Sequence, residues 1–204
     1  QRVKWSGVND PALFDRLEQD LLKVLQGGVS NNRYGAEYLA WAAQGLAYSG
    51  NEKYRGSIAK LKGKNFHKKV RRHAESSLAA LPKFAVWNSK ISVGLAGLPA
   101  TELLRKRTFN MLTSEEPELM RGGASLVSKH FMDEVEMLAL VEKLLLENYT
   151  QVNGHADMAD ALAWMCKVLG LSGNAKYRDT LQTVRQNSQD RAVVRWAEKS
   201  LLKL

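Results

Sequence analysis

The sequence predicts an all-α protein assembled from about five helix pairs, with an internal duplication. Three observations carry this expectation. Apolar residues recur at helical spacing along most of the 204 residues, and almost no alternating stretch of strand type occurs. The stretch "SGNEKYRGS" at Ser49–Ser57 is spelled again, nearly unchanged, as "SGNAKYRDT" at Ser172–Thr180. A shift of 123 positions lays the chain on itself without a gap, and about 18 of 46 positions from Ala36 onward are then identical.

The elements are taken in chain order. "DPALFDRLEQDLLKVL" spaces Leu13, Leu17, Leu21 and Leu25 four apart, one apolar helix stripe, with Asp10 as N-cap and Pro11 at the first helical position. "GAEYLAWAAQGLAYSG" is Ala-rich and nearly uncharged, which predicts a helix buried on most sides. In the repeated stretch Gly50 and Gly173 are expected to end a helix in the left-handed conformation. Asn51 and Asn174 then cap the next helix, and Tyr54 and Tyr177 pack inward. "EKYRGSIAKLKG" and "HKKVRRHAESSLAALP" supply two further helices, the last ending at Pro82.

Between the copies, "FAVWNSKISVGLAGLPA" reads as a short helix and a long connection, and "TELLRKRTFNML" with "EPELMRGGASLVSKHF" as another pair. "SEEPEL" at Ser114–Leu119 reads as a capping box or an acid-favouring first turn. The expected pairs are 10–48, 51–81, 101–130, 133–170 and 174–204. They form one repeat domain over 10–204, with duplicated units 10–81 and 133–204 and a polar tether over 1–9. Stacking such pairs buries a core that no single pair could bury.

Here the chain becomes similar to a known family. "VRRHAESSLAAL" and "VVRWAEKSLLKL" resemble the second helix of HEAT or HEAT-like repeats. "NSQDRAVVRWAEKSL" at Asn187–Leu201 matches best, through Asp190, Val194, Arg195, Ala197 and Leu201. The resemblance covers most of the chain from Asp10 onward and implies a right-handed α–α superhelix. It also implies function classes: most such arrays are protein-binding scaffolds, a minority bind DNA, and some relatives are lyases or DNA glycosylases.

Charge and chemistry narrow these classes. Net charge is +9, and residues 1–110 carry about +11 against about −2 for the rest. Such an excess points to an anionic partner. "KLKGKNFHKKVRRH" holds Lys60, Lys62, Lys64, Lys68, Lys69, Arg71 and Arg72, and Arg105, Lys106 and Arg107 extend the candidate patch. The duplication supplies an internal control. Lys60 meets Thr183, Lys64 meets Asn187, Lys69 meets Ala192 and Arg71 meets Val194, so the scaffold does not require these cations; Arg72 and Arg195 are shared.

Apart from Phe66, no aromatic platform for bases interleaves with the cations, which disfavours nucleic acid. His67, His73, His130 and His155 show no zinc-type spacing, and the lone Cys166 lies in an apolar helix without a base beside it. No phosphate-binding loop or nucleophile elbow occurs. Trp41 and Trp164 occupy equivalent apolar helices and are expected in the core, with Trp196 packing against a neighbouring pair. Trp5 and Trp87 lie outside the repeats as candidate exposed contacts.

The sequence therefore points to a non-enzymatic scaffold that binds another protein with an acidic surface. Nucleic-acid binding through the basic patch is the alternative and a lyase-like helical-repeat enzyme the third reading. No cofactor, metal or membrane span is expected. The start at Gln1 fits a processed, exported chain.

Overall fold

The computed structural model describes Lys4, Val8, residues 10–27, 33–152 and 154–204. Trp5, most of the expected tether and residues 28–32 lie outside the described residues. Ten α-helices and two 3-10 turns account for the regular structure, with no strand among the described residues. No described helix is long and apolar enough to cross a membrane. The chain gathers into two compact units, Gln1–Val93 and Gly94–Leu204, where the sequence predicts one domain over 10–204.

The first unit holds α1 (Pro11–Gln26), α2 (Arg33–Tyr48), a 3-10 turn (Glu52–Tyr54), α3 (Arg55–Lys60) and α4 (Lys68–Ile91). Asp10 caps α1 by accepting from the Ala12 amide at 2.9 Å, and Pro11 comes next. α2 packs along α4 in the same direction: Glu37 meets Lys69, Trp41 meets His73, and Tyr48 meets Phe84. Phe14, Leu21, Leu39, Leu46, Ile58 and Leu81 fill the core between the helices.

The second unit holds α5 (Ala100–Leu112), α6 (Pro117–His130), α7 (Val135–Asn148), α8 (Ala156–Leu171), a 3-10 turn (Ala175–Tyr177), α9 (Arg178–Asn187) and α10 (Arg191–Leu201). α6, α8 and α10 are successive neighbours in one layer, and α7 leans on α9 in the other. Glu142 and the Tyr149 carbonyl accept from the Thr180 and Ser188 hydroxyls, so α7 and α9 also run the same way. Leu145, Leu162, Cys166, Leu169, Leu181 and Val193 are fully buried between the layers.

The repeated stretch is a joint, and its geometry matches in both units. Gly50 and Gly173 take φ of 66° and 63°, the left-handed region that Gly enters without strain. Ser49 and Ser172 bond back to the Leu46 and Leu169 carbonyls. Asn51 and Asn174 cap the 3-10 turns by accepting from the Lys53 and Lys176 amides at 3.0 and 3.1 Å. Tyr54 and Tyr177 are fully buried. A shift of 123 carries α2 onto α8 and each 3-10 turn onto its twin without a residue of slippage.

The joints differ in two respects. The Tyr54 hydroxyl donates to Asp15 at 2.7 Å, and Lys53 pairs with the same carboxylate. These two bonds, Lys53 first, hold the Asp15 carboxyl below the usual carboxylate range. Leu138 stands at the equivalent position of the second unit, and the buried Tyr177 hydroxyl has no hydrogen-bond partner among the described residues. A Cβ at Gly50 would lie 2.4 Å from the Ala85 amide nitrogen, whereas one at Gly173 would meet open space.

That asymmetry comes from α4, which does not end at Pro82 but runs on to Ile91. Proline in a helix interior removes one hydrogen bond and crowds the preceding turn. Here Pro82 is exposed, and burial of Phe84, Trp87, Asn88 and Ile91 beyond it holds the helix together. Asn88 donates to the Tyr48 and Ser49 carbonyls, both at 2.9 Å, and so caps the end of α2. The short helix expected within "FAVWNSKISVGLAGLPA" is therefore the end of α4, and Trp87 is 2% exposed rather than a surface contact. At 114–119 no capping box forms: Glu116, the α6 N-cap, makes no side-chain cap bond, and Glu118 lies in the first turn.

Two pairs of variants test the joints. Tyr177→Phe removes an unpaired buried hydroxyl and is expected to raise stability by about 1 kcal/mol, while Tyr54→Phe lowers it, read by urea unfolding. Because the folded Asp15 pKa lies below its unfolded value, its stabilisation is present above the unfolded pKa and is lost as pH falls through the folded one. Asp15→Asn flattens that acid limb. Gly173→Ala is expected to cost about 1–2 kcal/mol of left-handed strain. Gly50→Ala adds about 1–3 kcal/mol of overpacking against Ala85.

Candidate functional site

The basic stretch occupies the end of α3, the loop after it and the first turns of α4. Leu61 is fully buried and Phe66 packs on the core, which anchors the loop at both ends. Lys60, Lys62, Lys64 and Lys68 are exposed and form no ion pair with a described residue. His67 is the α4 N-cap, its Nδ1 accepting from the Lys69 amide. Lys69 is half-buried and spans to Glu37 of α2 at 3.4 Å, where Arg33 also binds at 3.5 Å. Lys69 first, then Arg33, holds the Glu37 carboxyl below the usual carboxylate range. Arg71 is half-buried, and its Nε is buried without a hydrogen-bond partner.

Arg105, Lys106 and Arg107 belong to the second unit, and the first two have partners there. Arg105 bonds Glu134 and Glu136 at the start of α7, at 2.8 and 2.5 Å. The Lys106 ammonium stands 5.2 Å from the Phe109 ring centre, and Arg107 buries its Nε. Charge separates the same way. Residues 1–93 hold sixteen Lys and Arg against seven Asp and Glu, and residues 94–204 hold fourteen of each. The whole net charge of +9 thus resides in the first unit.

Sequence reasoning missed the aromatic surface. Trp41, expected in the core, is 56% exposed. The buried residues of α2 are Ala36, Leu39, Ala40, Ala42, Ala43, Leu46 and Ala47, and Trp41 falls outside that arc. Tyr34 and Tyr38 precede it by seven and three residues, 82% and 38% exposed, so the three rings form one stripe. His73 of α4 lies beside Trp41, ring centres 6.4 Å apart. Burial, then Arg72 and Lys69, lowers the His73 pKa and favours its neutral form.

The second unit closes its equivalent surface with cations. Trp164 is partly buried at the core edge, with Lys167 at 4.1 Å and Arg121 at 5.4 Å from its ring centre. Arg121 also pairs with Asp160, the counterpart of Glu37. Lys167 and Lys199 stand 5.7 and 5.0 Å from Trp196, which packs against the core as expected. Such contacts hold cation and ring together and leave little open aromatic face.

Cys166 is buried, and burial pushes its thiol up to about 12, so it carries no thiolate at neutral pH. No group of three His, Cys, Asp or Glu side chains able to hold a metal occurs among the described residues. An open depression bordered by Pro117, Gln151, Gly154, His155, Asp157 and Met158 leaves its imidazole and carboxylate exposed to water.

The Glu37 cluster is directly testable. By carbon-13 NMR the Glu37 carboxyl is expected to titrate below an ordinary glutamate, and Lys69→Ala moves it back upward. Comparison of the chain with protein-family models, with curated proteins and with solved structures returns no match.

Proposed function

We propose that this chain is a non-enzymatic docking module of HEAT-like helical-repeat type, its helix pairs stacked as a right-handed superhelix, that binds an acidic surface of another protein. The observation that carries this reading is the loop between α3 and α4. Four exposed lysines, Lys60, Lys62, Lys64 and Lys68, stand without ion-pair partners among the described residues. Exposed like charges repel one another and add nothing to folding. The twin unit carries Thr183 and Asn187 where Lys60 and Lys64 stand, and keeps cations as Arg185 and Arg191 at the other two positions. Same-direction stacking of α2 on α4 and of α7 on α9 supports the repeat reading.

Nucleic acid is the second reading, and the stripe of Tyr34, Tyr38 and Trp41 favours it, since bases stack on exposed rings beside cations. Affinity capture from source-cell extract separates the two. The wild type is compared with a Lys60→Thr, Lys62→Gln, Lys64→Asn, Lys68→Gln variant, with and without nuclease, at about 50 and 150 mM salt. A protein retained after nuclease by the wild type and lost at least about tenfold by the variant is the expected outcome. Material removed by nuclease, with steep salt dependence, assigns the loop to nucleic acid. Equal retention by both proteins removes the loop from function.

A further inference from the structure

The rings on α2 have no structural task that explains them. Tyr34 at 82% exposure and Trp41 at 56% leave most of their apolar area in water. Single exposed apolar residues need no explanation, but a contiguous row of large rings on one helix face does. The duplication again provides the control. Asp157 and Ala161 stand where Tyr34 and Tyr38 would fall, and α8 forms over the same length as α2. The helix therefore does not need these rings. Trp41 is retained as Trp164, yet only Trp164 is roofed by Lys167 and Arg121, and Gln44 takes the place of Lys167 in the first unit.

The stripe and the basic loop meet at one end. Glu37 lies on α2 between Tyr34 and Trp41, and its pairing with Lys69 sets the first turn of α4, with Lys68, against the first turn of α2. Arg33 and Arg72 are exposed at its margins, Arg72 next to His73. Tyr and Trp flanked by Arg are the residue types that dominate binding energy at protein interfaces. The unit's charge of +9 opposes self-association through this face. A peptide can place its acids at the margins and its apolar groups over the rings.

We propose that Tyr34, Tyr38 and Trp41 form the apolar half of a docking surface for an acidic amphipathic segment of a partner protein. Its large apolar side chains pack on the three rings, and its carboxylates meet Lys68 and Arg72. This inference rests on the docking-module reading and adds to it a recognised sequence class. Spacing fits a helical ligand, since rings at positions i, i+4 and i+7 present a ridge that accepts side chains of the same period.

The test selects binders from a displayed library of random peptides of about 16 residues, enough for about four helical turns. Bound clones are then measured on a Tyr34→Gln, Tyr38→Ala, Trp41→Gln variant and on Tyr34→Gln alone, which leaves the core untouched. Circular dichroism verifies both folds. The expected result is enrichment of peptides with Asp and Glu around large apolar residues three or four apart, losing at least about tenfold in affinity on the triple variant. Acidic peptides without apolar periodicity, held equally by the variant, overturn the stripe while leaving the basic loop as a docking site. Failure to enrich acidic peptides overturns both readings. An oligo(dT) strand that binds more tightly than every selected peptide, and is weakened by the triple variant, overturns the inference in favour of nucleic acid.

Discussion

A reversal of the chain within three residues governs both units. Gly50 and Gly173 turn the backbone through a conformation closed to most side chains, and the next residue, an Asn, caps the 3-10 turn beyond it. The buried Tyr three positions later fixes how far the new helix lies from the old one. Neighbouring helices in a layer keep their common direction because this joint returns the chain to the same starting side. The layers, the enclosed apolar cores and the exposed face of the second helices all depend on it. A joint with a different φ would aim the next helix away from its neighbour, and Leu39, Leu46, Leu162 and Leu169 would lose the contacts that bury them.

The joint was legible in sequence because its chemistry is local. Gly, Asn and Tyr act within a few residues, and their repetition made the shift of 123 evident. Helix existence was legible for the same reason, through Asp10 with Pro11 and the four-residue leucine spacing. What failed was whatever depends on distant partners. Pro82 is a local stop signal, yet Phe84, Trp87 and Ile91 bury beyond it and Asn88 grips the end of α2, and together these outweigh the proline. Trp87 was misplaced with it, because it lies beyond the expected repeat and the burial of that stretch comes from distant partners.

Trp41 shows a subtler limit. Only Arg33, Glu37 and Gln44 mark the outer side of α2, a polar strip too narrow to place Trp41 from sequence. Seven buried positions, five of them Ala, absorb the packing and leave the largest side chain in water. The candidate site was legible only in its charges. Lysines cluster in sequence, whereas the contacts that sort bound cations from open ones come from far along the chain. Lys69 is held by Glu37 and Arg105 by Glu134 and Glu136, each about thirty positions away. Lys60, Lys62, Lys64 and Lys68 are exposed and form no ion pair with a described residue, and they lie close together in sequence.

The contact between Gly50 and Ala85 bears on how the two copies have been able to drift apart. At Gly173 backbone conformation is the sole barrier, and Asn or Asp enters that conformation at modest cost. At Gly50 the same substitution meets the α4 backbone as well. The twin joints are therefore under unequal constraint: the first is frozen from two directions, the second from one. Descendants of such a chain would retain the glycine at position 50 while position 173 samples other residues. The order in which the twin joints lose their likeness is thus set by the extra turns of α4.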